Sequence, residues 1–276
     1  VIRDLLELFR YRDVLVNLVK REMKVRYKNS VLGFFWSLLN PLLQILVLVL
    51  VFKYFTPMAA ESQNYSILLV TTILPWYFFA QVLQEGSASV AEEIALVKKA
   101  YFPRAILPIA SLSAGIIHFL LSLIVLVGMF VVVRVTVRWD YVPLFVVCFL
   151  IQVCFMLGLM LLTSALSVFY NDVRYMLGSI TMMWFFMSPV LYFVNQVMAS
   201  HRLTPFMKQL YMLNPLAPIM VGYRSIVPND KPPTIPTVAV PDYYVFLAIS
   251  AGVAVVVLII GGVVFGRYQW TFAEHG

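Results

Sequence analysis

Arg26 to Pro41, RYKNSVLGFFWSLLNP, is where this chain changes character, from a basic amphipathic segment to an apolar one without charge. Lys20, Arg21, Lys24, Arg26 and Lys28 crowd the polar side of the preceding segment, suited to anionic head groups on the cytoplasmic face. The run after it is long enough to cross a bilayer. The stretch is a hinge between a helix lying on a membrane and the first helix crossing it.

The composition points the same way. With 62% hydrophobic and 12% charged residues and a mean hydropathy of +0.90, the chain has too few polar side chains to clothe a water-facing globule. It reads as an all-α integral membrane protein. The net charge of +7 sits beside apolar runs, which favours lipid head groups over nucleic acid as the partner. Cys148 and Cys154 share one apolar run on different helix faces and read as small core residues, not a disulfide. Residues 1–28 are charged and amphipathic, unlike a cleavable signal peptide.

Upstream of the hinge, residues 3–28 carry Leu5, Phe9, Val16, Val19, Met23 and Tyr27 near a helical period, with Arg10, Asp13, Lys20, Lys24 and Lys28 largely elsewhere. This predicts an interfacial helix. A helix packed on a soluble neighbour has the same pattern, and both readings hold if a partner docks there.

Downstream, the pattern predicts six spans in one domain covering residues 1–276. They run from about Leu32 to Phe52, Tyr65 to Leu83, Ala105 to Val133, Val142 to Phe169, Tyr175 to Val194, and Tyr243 to Phe265. Asn40 and Pro41 soften the first. Trp76, Tyr77, Phe78 and Phe79 lie mid-span in the second, where interfacial anchoring does not fit.

Between the second and third spans lies a polar interlude, residues 84–104. Ser89 followed by Glu92 spells a capping box, Glu92 and Glu93 suit a first turn, Lys98 and Lys99 suit a last turn, and Pro103 stops the helix. A capped cytoplasmic helix between two spans is a handle for a soluble partner, although a solvated connector has the same signals. Between the fifth and sixth spans, within residues 196–228, PFMKQLYMLN and PIMVGYRSIV are apolar but too short to cross, so they read as re-entrant or interfacial helices. Thr204 and Pro205 open the first, Pro215 closes it, and Pro218 opens the second. Placing the larger Lys/Arg set inside puts both termini in the cytoplasm.

The expected spans hold no acidic residue: Glu61, Glu85, Asp140, Asp172 and Asp242 all fall in turns. An ion-coupled transporter normally carries such a group at depth. His118 alone is titratable there. No phosphate-binding loop, HExxH zinc motif or catalytic triad spacing is present, so neither a metal nor a catalytic residue is assigned. The energy source then lies elsewhere, or there is none; a surface helix and a capped handle without a coupling carboxylate point to a motor subunit that binds from the cytoplasm.

Several motifs carry a family resemblance. Arg26 to Gly33 with Trp36 and Pro41 resembles the signature opening the first span in membrane subunits of type-2 ABC exporters. Trp76 to Phe79, Lys98 to Arg104 with Pro108, Phe169 to Arg174, Ser188 to Tyr192 and Leu213 to Pro215 are similar in order and spacing. Asn171 departs from the pattern, since many relatives carry Arg before the Asp. Within the family the chain most resembles permeases of bacterial O-antigen exporters, the Wzm type, with capsule and teichoic-acid permeases close by.

The resemblance implies a homodimer of six-span subunits in the bacterial inner membrane, with two cytoplasmic ABC ATPase subunits binding ATP and Mg. The permease itself carries no cofactor and is not by itself an enzyme. The cargo it implies is polysaccharide on a polyprenyl pyrophosphate lipid. It also makes residues 3–28 the interface helix, residues 84–104 the coupling-helix loop, and residues 196–228 outer gate helices. Glu92, Glu93, Lys98 and Lys99 are then candidates for coupling to the ATPase.

A sugar polymer presents hydroxyls and apolar C–H faces, so a channel lined by aromatic rings holds it weakly and repeatedly. Phe34, Phe35, Trp36, Tyr54, Phe55, Trp184, Phe185, Phe186 and Tyr192 are the candidates, against the plainer role of packing or belt residues. Arg26, Lys28 and Arg104 are candidates for the pyrophosphate, against plain head-group contact. A channel or secondary transporter would instead depend on His118, Gln44 or Gln152. A transferase would need acids or His clustered at one interface.

Overall fold

In hydrocarbon every backbone amide needs an internal partner, and an apolar chain meets that need as helix. The structure, a computed structural model, describes residues 11–27, 65–99, 102–228 and 243–272, with positions 39, 42–44, 46, 47, 50 and 51 between them. Every regular element among the described residues is helical. The first three are α1 (Arg12–Tyr27), α2 (Tyr65–Glu92) and α3 (Ile94–Lys99). Then come α4 (Ile106–Val133), α5 (Val142–Phe169) and α6 (Asp172–Met187). Short helices α7 (Val194–Ala199), α8 (Pro205–Met212) and α9 (Leu216–Arg224) precede α10 (Tyr243–Tyr268).

Four stretches among the described residues are long and apolar enough to cross a membrane: Ile67–Glu92, Ile106–Val133, Trp139–Phe169 and Tyr243–Thr271. They correspond to the expected second, third, fourth and sixth spans. In the expected first span the described positions are helical, and the rest of that span lies outside the described residues. The expected fifth span is shorter than the sequence suggested. α6 closes at Met187, where Ser188 turns extended with ψ 148 and Pro189 follows without an N–H. Its 16 residues make about 24 Å of helix.

α2 is the axis of the bundle: 78% of its apolar window is buried, against 22% in α4 and in α10, which leaves those two broadly exposed on the outside of the bundle. Pro75 removes one donor from the α2 ladder. That weakened turn is held from the side, by the Gln152 amide donating to the Pro75 carbonyl at 2.8 Å. The Thr71 hydroxyl donates to the Leu68 carbonyl at 2.8 Å in the turn before. The aromatic cluster after Pro75 is core and not an interfacial anchor. Trp76, Phe78 and Phe79 are buried, Phe78 stacks on Phe119 at 4.8 Å, and Phe79 lies 6.2 Å from Phe155. In a membrane such burial stabilises through packing rather than escape from water.

α5 and α10 cross where backbone meets backbone. A Cβ at Gly158 would stand 2.5 Å from the Leu258 nitrogen, and Gly261 faces the Gly158 carbonyl. Only glycine permits that approach. At the far end of α4, Arg134 caps the helix in the left-handed conformation with φ 57.

Two local expectations need correction. Ser89 is not a helix cap: α2 continues through it to Glu92, and its hydroxyl donates back to the Gly86 carbonyl at 2.7 Å. The predicted handle is therefore the end of α2 plus the six-residue α3. α1 also turns a partly different face inward, keeping Val19 of the expected stripe. Leu18 is buried, with Tyr11, Val14, Leu15 and Val19 packed around it, whereas Val16 is exposed. Partners decide this, because Glu22 on the inward side accepts from the Ser111 hydroxyl of α4 at 2.7 Å.

Candidate functional site

The helices gather their polar chemistry at the two ends of the bundle. One end holds α1, α3, the close of α5 and α10, and the start of α4 and α6. Leu18, Val90, Val97, Ile106, Phe265 and Phe272 share one apolar cluster there, and the Phe169 ring lies 5.7 Å from Tyr268 and 6.1 Å from Phe272.

Two neighbouring carboxylates emerge over this cluster. Glu92 ends α2 and lies 3.6 Å from the Arg174 guanidinium of α6. Glu93, in the turn that follows, pairs with Arg21 of α1. The Gln84 amide adds a bond to the Arg174 carbonyl at 3.1 Å. Lys98 and Lys99 are exposed at the end of α3, so its basic tip points away from the bundle. Arg104 lies at the same end with its guanidinium 5.8 Å over the Trp270 ring. The other head-group candidates, Lys28 and the Arg26 side chain, lie outside the described residues.

The opposite end is built around the break after α6. Trp184 donates to the Asn214 side-chain oxygen at 2.8 Å, and the Asn214 amide donates to the Ser188 hydroxyl at 3.0 Å and the Met187 carbonyl at 3.2 Å. One asparagine thus closes the orphan end of α6. Arg224, almost fully buried, donates to the Tyr192 and Val190 carbonyls, each at 2.6 Å. Val190 also accepts the Thr72 hydroxyl of α2 at 2.9 Å, so the segment is pinned from both sides. Thr204 caps α8 as its sequence indicated, accepting from the Met207 amide at 3.3 Å, and Lys208 ties α8 to α7 through the Met198 carbonyl at 2.6 Å.

Tyr211 donates to the Tyr192 hydroxyl at 3.2 Å, which in turn donates to the Phe186 carbonyl at 3.0 Å. Burial pushes both phenols above the ordinary tyrosine value, and the bond that Tyr211 donates raises it further. Both stay neutral hydroxyls at physiological pH.

Of the channel candidates, Trp184 and Phe185 turn toward α2, Trp184 edge-on to Phe79 at 5.6 Å and Phe185 5.4 Å from Trp76. Phe186, edge-on to Phe185 at 5.2 Å, is 60% exposed, and Tyr192 is half-buried beside α9. Phe34, Phe35, Trp36, Tyr54 and Phe55 lie outside the described residues. In sequence Arg21 reads only as a head-group contact, Arg174 and Asn214 only as parts of family motifs, and Arg224 only as a charge within a short apolar stretch; none shows there the partner it has here. Arg224 was the detectable one: a charge inside a short apolar helix needs a buried partner.

A bundle of long apolar helices around one buried axis, with charged residues gathered at its ends, defines an all-α integral membrane protein. Its lineage is equally definite. The chain belongs to the ABC-2 type transporter family, whose sequence model matches residues 14–227. It is 31% identical over 274 residues to the O-antigen export system permease protein RfbA of Myxococcus xanthus, covering 99% of each chain. Two proteins of the same name from Klebsiella pneumoniae are 28% and 27% identical, over 95% of this chain and 94% of theirs.

Proposed function

We propose that this chain is the permease subunit of an ATP-driven exporter that carries lipid-linked polysaccharide, of the O-antigen type, across the bacterial inner membrane. The observation that carries the reading is likeness along nearly the whole chain to proteins named as O-antigen export permeases. Two copies form the pore and two cytoplasmic ATPase subunits drive it, holding the ATP and Mg that this chain does not bind. Residues 32–52 and α6 complete six spans with the four long helices, both termini stay cytoplasmic, and α7 to α9 gate the outer side.

The mechanism follows from the chemistry of the cargo. The pyrophosphate needs positive charge at the cytoplasmic face, which Arg104 supplies beside Trp270, with Arg26 and Lys28 at the start of the first expected span as further candidates. The polymer needs surfaces that hold C–H faces without trapping any one unit, which exposed rings such as Phe186 provide. The exposed tip of α3 meets the ATPase through Lys98 and Lys99. Charge at that tip attracts an acidic groove and sets register.

The test is co-purification with a cognate ABC ATPase, followed by hydrolysis with and without a polyprenyl-pyrophosphate oligosaccharide. Stable assembly and cargo-dependent hydrolysis are expected. Charge reversal at Lys98 and Lys99 should weaken assembly about tenfold, the scale of one or two interfacial charges. A chain that transports with no ATPase present overturns the reading.

A further inference from the structure

We propose that the adjacent carboxylates Glu92 and Glu93 form a two-way link inside this chain, carrying movement of α3 to α1 through Arg21 and to α6 through Arg174. The inference rests on the exporter reading above and deepens it by naming how a push on α3 is divided. Arg21 and Arg174 are then positioning residues, acting through the carboxylates and touching neither cargo nor ATPase.

The geometry supports this over a docking role for the acids. Glu92 and Glu93 are consecutive, at the junction where α2 ends and α3 has not begun, yet they reach opposite neighbours. α3 seats Val97, with Ile94 and Leu96 beside it, in the apolar cluster shared with Leu18 of α1, and the two carboxylates just before it add directed ion pairs to that non-directional contact. Both receiving helices are themselves tied down. α1 is fixed to α4 by the Ser111 to Glu22 bond at 2.7 Å, and the start of α6 to α2 by the Gln84 to Arg174 bond at 3.1 Å. α6 leads directly to the Ser188 to Phe193 segment that Arg224, Thr72 and Asn214 hold. A shift at Glu92 thus has a continuous route to the opposite end of the bundle, through an ion pair, the length of α6 and the hydrogen bonds at its close.

Each pair is partly exposed, so neither alone holds the fold together. Their effect is expected in coupling, and charge reversal is the sensitive probe. The experiment uses the full chain with its ATPase in proteoliposomes, with a polyprenyl-pyrophosphate oligosaccharide as cargo. Three quantities are read: ATPase binding, basal hydrolysis and cargo-stimulated hydrolysis. Arg174→Glu should cut the cargo-stimulated increment about tenfold, within the usual range of coupling between sites, while ATPase binding is kept. Adding Glu92→Lys to that chain restores the attraction with its sign reversed, and should recover stimulation to within about twofold of wild type. Arg174→Gln, a milder change, should fall between.

A charge-swapped chain no better than Arg174→Glu alone overturns the link. So does an Arg174→Glu chain with full stimulation, or one that no longer binds ATPase, since a docking contact then explains the loss. A wild-type complex without any cargo stimulation overturns the exporter reading itself and the link with it. The arms therefore separate the two failures.

Discussion

Replacing Gln152 by leucine should destabilise the bundle while leaving its shape intact, and the buried geometry sets the size of the effect. Gln152 is fully buried on α5. Its amide donates to the Pro75 carbonyl at 2.8 Å and its oxygen accepts the Tyr223 hydroxyl at 2.7 Å. Leucine is close in size, so no cavity opens and the loss is polar. Each interhelical bond in a membrane is worth about 1 kcal/mol, and the stranded, buried Tyr223 hydroxyl adds about 1 kcal/mol or more. The total is about 3 kcal/mol in the sense of destabilisation.

Tyr223→Phe should cost about 1 to 2 kcal/mol, because it strands the Gln152 oxygen instead. In the double variant the shared bond is lost once and both stranded groups are gone, so the two losses should fall short of adding by about 2 kcal/mol or more. Reversible unfolding in mixed micelles, titrated with a denaturing detergent, measures all three. Strict additivity, or wild-type stability in Gln152→Leu, would refute the claim that this amide joins α2, α5 and α9. The same variant separates exporter from secondary transporter: once folded, it should still move cargo with ATP.

Two further stability predictions use the same titration. Arg134 is exposed and left-handed at the close of α4 with φ 57, so Arg134→Gly should stabilise by about 1 kcal/mol, the strain a Cβ brings there; no gain would mean that the cap bends freely. Gly158→Ala places a Cβ 2.5 Å from the Leu258 backbone nitrogen and should destabilise by about 1 to 3 kcal/mol as α5 and α10 are forced apart. Gly128→Ala on α4, with nothing within 4 Å, is the control and should lose nothing.

Much of the helix map was legible because hydropathy and helix stops are local properties. The expected fourth span and α5 share the bounds Val142–Phe169, and the third and sixth spans agree to within a few residues. Thr204 and Pro205 opened α8 as expected, because a cap bonds its own first turn. Cys148 and Cys154 are free, as their helical spacing implied. The Ser89 capping box failed for an equally local reason: its serine can bond back within a continuing helix, and burial of Val90 and Val97 settles which happens.

That the chain is helical, lives in a membrane and carries the motifs of its family could be read from residues close together along it. That α2 is the buried axis and that α1 turns Leu18 inward came from packing. Packing also decided that Glu92 and Glu93 reach opposite ways and that Arg224 serves the break after α6. Those outcomes depend on partners far away in sequence: Thr72 meets Val190 across 118 positions, and Gln152 meets Pro75 across 77. In a chain whose faces are nearly all apolar, hydropathy does not distinguish the face that meets lipid from the face that meets protein. Packing and a few buried hydrogen bonds make that choice.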